Sequence, residues 1–173
     1  MNRSHRRLLA ALLLPLATAL TLPLAGCGFA LRGSTPDSQL AFDSVYLDVP
    51  TGTPLERDLR TSIRSQRTAK LVEDPKVAAV ALRVLDDKQE RKVLTLNSQG
   101  QVREFSLTYR IRYELTDKNN KKLLPPSEIA LQTILSYSES QVLAKEQEEK
   151  LIFDDMRRDA VSQVMRQLAQ VRP

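Results

Sequence analysis

The stretch REFSLTYRIRYEL, Arg103 to Leu115, alternates without a fault. Phe105, Leu107, Tyr109, Ile111, Tyr113 and Leu115 fall on one side of an extended chain; Ser106, Thr108, Arg110, Arg112 and Glu114 fall on the other. A period of two is the signature of an antiparallel strand buried on one face, its polar face wet or turned to a polar partner. Its neighbours follow from the turns around it. NSQGQ precedes it, and the run before that alternates at Ala78, Val80, Leu82 and Val84 before turning charged beyond Asp86, which predicts one long strand, straight or bulged. DKNNKK follows it, and Ile129, Leu131, Thr133, Leu135 and Tyr137 mark the next alternating strand.

The flanks supply the helices. Phe42 to Val49 has the β-branched and aromatic bias of a short strand and stops at Pro50. Helix-start chemistry comes next: Thr53 as N-cap, Pro54 at the first helical position, and Glu56 three after the cap to complete a capping box. Leu55, Leu59 and Ile63 give this helix one apolar stripe. From Ala144 to Val171 the period lengthens to nearly four. Ile152, Met156, Ala160, Val164 and Leu168 form a stripe flanked by Phe153, Val161 and Met165, while Glu146, Glu148, Glu149, Asp154, Arg157, Arg158 and Arg166 face away. Acids precede bases along it, as the helix dipole favours. The order β-α-β-β-β-α predicts a single α+β domain over residues 42–171: a four-stranded mixed sheet with two helices packed on one face. The other face, with Arg110 and Arg112, is expected to be solvated.

Ahead of this domain, Arg3, Arg6 and Arg7 precede LLAALLLPLATALTLPLAG, the basic start and apolar stretch of an export signal. Length alone leaves an uncleaved span open, since about 18 apolar residues cross a bilayer. The end of the run decides. Leu24-Ala25-Gly26-Cys27 resembles the bacterial lipobox, in which the cysteine sulfur takes a diacylglyceryl group and the chain is cut just before it. Residues 1–26 are then a lipoprotein signal peptide, Cys27 the lipidation site, and 27–41 a lipid-anchored connector. A lone cysteine is otherwise a small buried hydrophobe, but its place at a signal boundary reverses that reading. Gly28 stands where an aspartate usually retains a lipoprotein at the inner membrane, so the resemblance implies the outer membrane, on its periplasmic side.

Removing residues 1–26 changes the charge argument. The chain has 26 Lys+Arg and 21 Asp+Glu; three of the bases and none of the acids lie in 1–26, so the net charge falls from +5 to +2. That is poor footing for nucleic acid, and no nucleic-acid partner is expected. The only histidine, His5, is removed as well. Without histidine, and with its cysteine capped, the mature chain cannot assemble a Ser-His-Asp or Cys-His nucleophile system or a zinc site of the usual His/Cys type. Its carboxylates are scattered among bases as on any solvated surface. No enzyme activity, cofactor or metal is expected.

CGFALRG after the lipobox, the short strand, the capped helix, three strands with NSQGQVREFSL at the middle turn, and VLAKEQEE leading into a long terminal helix resemble, in order and spacing, the LptE family of lipopolysaccharide-assembly lipoproteins. The resemblance covers essentially the whole mature chain. In that family a two-helix, four-stranded unit sits as a plug inside the outer-membrane β-barrel LptD, helps that barrel assemble, and binds lipopolysaccharide on its way to the outer leaflet. The implied partners are an LptD-type barrel, lipopolysaccharide, and the membrane through an N-terminal lipid. Barrel lumens are polar, which a mixed-charge exterior suits. Lipid A carries phosphates that Lys or Arg can bind in place of bridging cations. Lys145 falls at the family's lysine at the start of the last helix. The family's other base, at the tip before the central turn, has no counterpart in Leu96-Asn97-Ser98; Arg91, Lys92 and Arg103 are the candidates to replace it. A generic periplasmic lipoprotein scaffold, or a pilotin for another outer-membrane barrel complex, would share the lipobox and an α+β domain.

Overall fold

The computed structural model describes residues 39–172. The expected signal peptide, Cys27 and nearly all of the connector lie outside the described residues. In chain order the elements are β1 (Ser44–Asp48), α1 (Pro54–Arg64), β2 (Lys70–Val72), β3 (Val80–Leu96), β4 (Val102–Asp117), β5 (Lys122–Ser136), a 3-10 turn (Glu139–Gln141) and α2 (Val142–Gln170). They form one sheet in the order β2-β1-β3-β4-β5. β1 runs parallel to both β2 and β3, and the remaining pairs are antiparallel. The α+β class and the two helices agree with the sequence. The strand count does not: there are five strands among the described residues, not four. The additional one is β2, whose three residues are too few to display a period. It exists because α1 carries the chain back beside β1, where Ser44, Val45 and Tyr46 pair with Lys70, Leu71 and Val72.

α1 starts where its chemistry places it. The Thr53 hydroxyl accepts a hydrogen bond from the Glu56 amide at 3.1 Å. Glu56 reaches back past the cap, its carboxylate accepting from the Gly52 amide at 3.2 Å and from Arg60 at 2.8 Å. Gly52 has a φ of 80°, a conformation that favours glycine. The Arg60 guanidinium first, and the Gly52 amide second, hold the Glu56 carboxyl below its ordinary value of 4.5. Its stabilising contribution is therefore full above that value and is lost as pH falls through the depressed one. Glu56→Gln is expected to be less stable than wild type at neutral pH, with the gap closing below pH 4.5; unfolding midpoints measured from pH 7 to pH 3 check this. A gap that stays constant with pH would refute it.

β3, β4 and β5 make a long meander, and β4 is its spine. Its odd residues, Leu107 through Leu115, are completely buried. Register explains why β3 alternates only at first. Val80, Leu82 and Val84 pair with Asp117, Leu115 and Tyr113 and share their face; Leu85 is then an extra, unpaired residue, and from Asp87 to Val93 odd residues take that face, until a second register shift at Leu94. Both helices lie on it. Leu55, Leu59 and Ile63 of α1 and Phe153, Ala160, Val164 and Leu168 of α2 join the β4 residues in one core, and each such aliphatic side chain contributes about 2 kcal/mol by burial. The core extends back to Leu40 and Phe42, ahead of β1.

Two charged residues on the faces read as polar are covered from solvent. Arg157 is 8% exposed because Asp58 of α1 and Asp154 each accept a hydrogen bond from it at 2.7 Å. Glu114 lies on the open face, as its parity requires. Arg83 at 3.5 Å and Lys122 at 3.1 Å close over it from the neighbouring strands.

Candidate functional site

β3 rises to about 55 Å over its 17 residues, whereas the 11 residues of α1 span about 16 Å. The far half of the meander therefore projects beyond α1 and is roofed only by the first turns of α2. All four candidate bases lie there. Parity and hairpin closure then sort them.

Arg103 and Lys145 line one cleft. The Arg103 carbonyl accepts a hydrogen bond from the Tyr137 amide at 2.8 Å, which ties the start of β4 to the chain leaving β5. Gln101 donates to Glu139 at 3.2 Å and fixes the 3-10 turn beside it. α2 begins directly after that turn, so Lys145 in its first turns stands over the same corner. Arg103, Glu104, Tyr137, Gln141 and Lys145 line a shallow cleft of about 460 Å³. Lys145 rests against Glu148 at 2.8 Å. Around the same end of the domain Val93, Leu94 and Leu96 of β3 and Val142 and Leu143 of α2 are exposed, Leu143 at 76%. Bases beside exposed apolar side chains suit an anion attached to a hydrocarbon.

Arg91 and Lys92 are not part of that cleft. Adjacent residues of a strand point to opposite faces. Arg91 lies on the helix side, its guanidinium 2.9 Å from Glu149 of α2 and 4.6 Å above the centre of the Phe105 ring. Phe105 in turn meets Tyr137 edge to face at 5.0 Å. Arg91 thus braces α2 against the meander, in a separate groove with Lys150, Asp154 and Arg157. Lys92 points to the open face, 3.3 Å from Glu90. It joins a lattice of cross-strand ion pairs in which Arg110 lies 3.8 Å from Glu90 and 3.3 Å from Glu128.

A polar node that the sequence did not reveal lies beneath α2. Tyr109 is completely buried, and its hydroxyl has no hydrogen-bond partner among the described residues. Burial first, and the facing Asp87 carboxylate second, raise its phenol well above the ordinary value. Tyr113, four residues along, donates to Gln167 of α2 at 2.5 Å, and burial pushes it up to about 12. Neither phenol ionises at neutral pH, so both serve as neutral pins between sheet and helices. A hint existed in the sequence: both tyrosines occupy the apolar row of β4, where their hydroxyls must reach past the core.

The family described as LptE, lipopolysaccharide-assembly, matches residues 41–168. The LPS-assembly lipoprotein LptE of Photorhabdus laumondii is 28% identical over 168 residues, covering 96% of this chain and 87% of that protein. The solution structure of an uncharacterized lipoprotein B from Nitrosomonas europaea has a TM-score of 0.70 at 37% identity, over 82% of this chain and 90% of that one. The crystal structure of the rare lipoprotein B from Shewanella oneidensis shares the fold, with a TM-score of 0.64 at 24% identity over 73% of this chain and 93% of that one. Since the match runs from Ala41 to Leu168, across all five strands and nearly all of α2, the chain belongs to the LptE lipopolysaccharide-assembly family.

Proposed function

We propose that this chain is an outer-membrane lipoprotein, anchored through Cys27 on the periplasmic side, that plugs and helps assemble an LptD-type β-barrel and binds lipopolysaccharide during its delivery to the outer leaflet. Residues 1–26 serve as the signal, 27–41 as the tether and 42–171 as the working domain. The observation that carries the reading is the family match across the whole domain. Two features support it. The open sheet face neutralises itself through cross-strand ion pairs such as Arg83 to Asp48 at 2.7 Å, so it can lie against a polar barrel wall without stranding charge. The domain works by binding, and its basic cleft adjoins exposed apolar side chains, as an amphiphilic phosphate requires.

Arg103 and Lys145 are the phosphate ligands in this reading. Among the described residues Lys145 is held by Glu148 alone, whose side chain is 49% exposed, so water can take over the carboxylate when the lysine turns to a phosphate. Arg91 is committed to Glu149 and Phe105 and acts as a brace, while Lys92 faces away. Co-purification of the lipidated chain is expected to recover an LptD-type barrel; recovery of a secretin in its place would favour a pilotin. Lipopolysaccharide binding by Arg103→Ala with Lys145→Ala is expected to weaken about tenfold or more, since a charge-assisted hydrogen bond contributes about 1.5 kcal/mol or more. Lys92→Ala should bind as wild type. Equal losses in both variants would mean that binding is diffuse attraction rather than this cleft.

A further inference from the structure

The near end of the domain, opposite the projecting half of the meander, carries an unbalanced charge. Ser44 pairs with Lys70, Val45 with Val80, and Val80 with Asp117, so the start of β2, the approach to β3 and the β4–β5 turn stand at one level. The chain leaving α1 returns to that level: the Thr68 hydroxyl donates to the Leu40 carbonyl at 3.0 Å, and the Lys70 amide to the Asp43 carbonyl at 2.8 Å. Six exposed bases gather there, Arg64, Arg67, Lys70, Lys76, Lys118 and Lys121. Among the described residues none of them joins an ion pair. The acids beside them are fewer. Asp74 accepts from the Lys76 amide at 2.9 Å, and Asp117 from the Asn119 and Lys121 amides at 2.8 Å each, while Glu73 pairs with Arg60. These bonds shape the turns and leave the lysine side chains in solvent. With Asp43 counted beside the two turn aspartates, the bases outnumber the unpaired acids by six to three. Lys76 and Lys118 line one recess of about 470 Å³ with Asp43, Ser44, Asp117 and Val77, the last 65% exposed.

The tether selects the occupant. Leu40 is buried in the core at this end, and Cys27 lies 13 residues before it. That length spans at most about 45 Å when fully extended. A chain anchored through Cys27 therefore keeps this end near the leaflet that holds its acyl chains. The tether brings the end close without orienting it; the charge supplies the orientation. Each base near an anionic membrane surface strengthens the contact about fivefold, and a basic patch beside a lipid chain is a recurring second membrane signal. An acidic protein would have to be brought to this end, whereas the membrane is there as soon as the lipid inserts.

We propose that Lys76, Lys118 and Lys121, with Lys70 and the end of α1 beside them, rest on anionic phospholipid headgroups of the periplasmic leaflet before a barrel takes the chain up. The inference rests on the Cys27 anchor given above. The contact orients the domain and does not hold it, because so small an excess of charge is screened at physiological salt once the lipid is gone. When the projecting half of the meander enters a lumen, the near end stays at the periplasmic mouth, so tether and bases remain on the same side.

The test reconstitutes the mature lipidated chain in vesicles whose headgroups carry a fluorescence quencher. A fluorophore is placed on Asn119→Cys at the near end or on Ser98→Cys at the far turn, the lipid occupying the Cys27 thiol. With about one third phosphatidylglycerol in phosphatidylcholine, quenching at position 119 is expected to exceed that at position 98 about threefold or more. The excess disappears in pure phosphatidylcholine and in about 1 M salt, where the screening length is about 3 Å. Lys76→Gln with Lys118→Gln and Lys121→Gln leaves as many acids as bases at this end and is expected to remove the excess at an unchanged unfolding midpoint. Equal quenching at both positions, an excess that persists in neutral vesicles, or one that survives the triple substitution would each overturn the inference and leave the anchor standing. Intact mass tests the anchor separately: a mature chain without lipid on Cys27 would overturn the anchor, and with it the inference, since the tether is what brings this end to the leaflet.

Discussion

Arg157→Ala is expected to cost the domain about 3 kcal/mol, because removing one member of a buried ion pair leaves charge uncompensated. The guanidinium is held between Asp58 of α1 and Asp154 of α2, so a single side chain joins the two helices above the Tyr109 hydroxyl. Both carboxylates keep about a third of their side-chain surface, at 30% and 33%, so water recovers part of the loss. That places the cost at the low end of the usual range. In a domain of this size the loss corresponds to about 10 °C in Tm. Arg157→Met retains the apolar stem and should recover part of the packing, roughly 1 kcal/mol. Urea titrations of the three proteins measure both numbers. A loss under about 1 kcal/mol for Arg157→Ala would show that the triad behaves as a surface pair.

On the anchor proposed above, replacing residues 1–27 with a cleavable export signal that ends in no lipid-accepting cysteine is expected to release the chain from membranes whenever it is made in excess over its barrel. Acyl chains contribute about 0.8 kcal/mol per buried CH₂, and more than one chain makes attachment firm, so in that reading the lipid is what holds the chain to the membrane. No helix among the described residues is long and apolar enough to cross a membrane. Fractionation should find wild type in the outer membrane and the variant, beyond the barrel-bound amount, in the periplasm. Intact mass should show the lipid on wild type alone. A variant that sediments with membranes in full, with no barrel to hold it, would transfer the anchor to some other part of the chain.

How much of this was legible follows from particular residues. β4 could be read outright because its alternation never slips and every odd residue from Leu107 to Leu115 is buried. β3 could be read only as far as Val84. The unpaired Leu85 changes its phase, so even residues face the helices before it and odd ones after it, and the pattern dissolves at that point for a structural reason. Arg157 lies four residues from both Phe153 and Val161, on the buried stripe. A charge reads as outward, however, until its carboxylates are placed, and one of them comes from 99 residues away. The candidate bases split along the same line. That Arg91 and Lys92 point to opposite faces follows from their adjacency in a strand. That Arg103 shares a cleft with Lys145 follows only once the turn after β5 brings α2 over the start of β4.

The additional residue in β3 also governs how such a chain can change over time. Beyond Leu85, Asp87, Gln89, Arg91 and Val93 keep to the face of their β4 partners because the bulge absorbs one odd residue upstream. Losing Leu85 itself would leave these residues on the same β4 partners, because the bulge already takes it out of the alternation, whereas losing one residue from the regular part of the strand would turn the side chains beyond it over. A single-residue change of length in this arm is therefore tolerated among descendants where a bulge takes it up, and elsewhere must come in even steps.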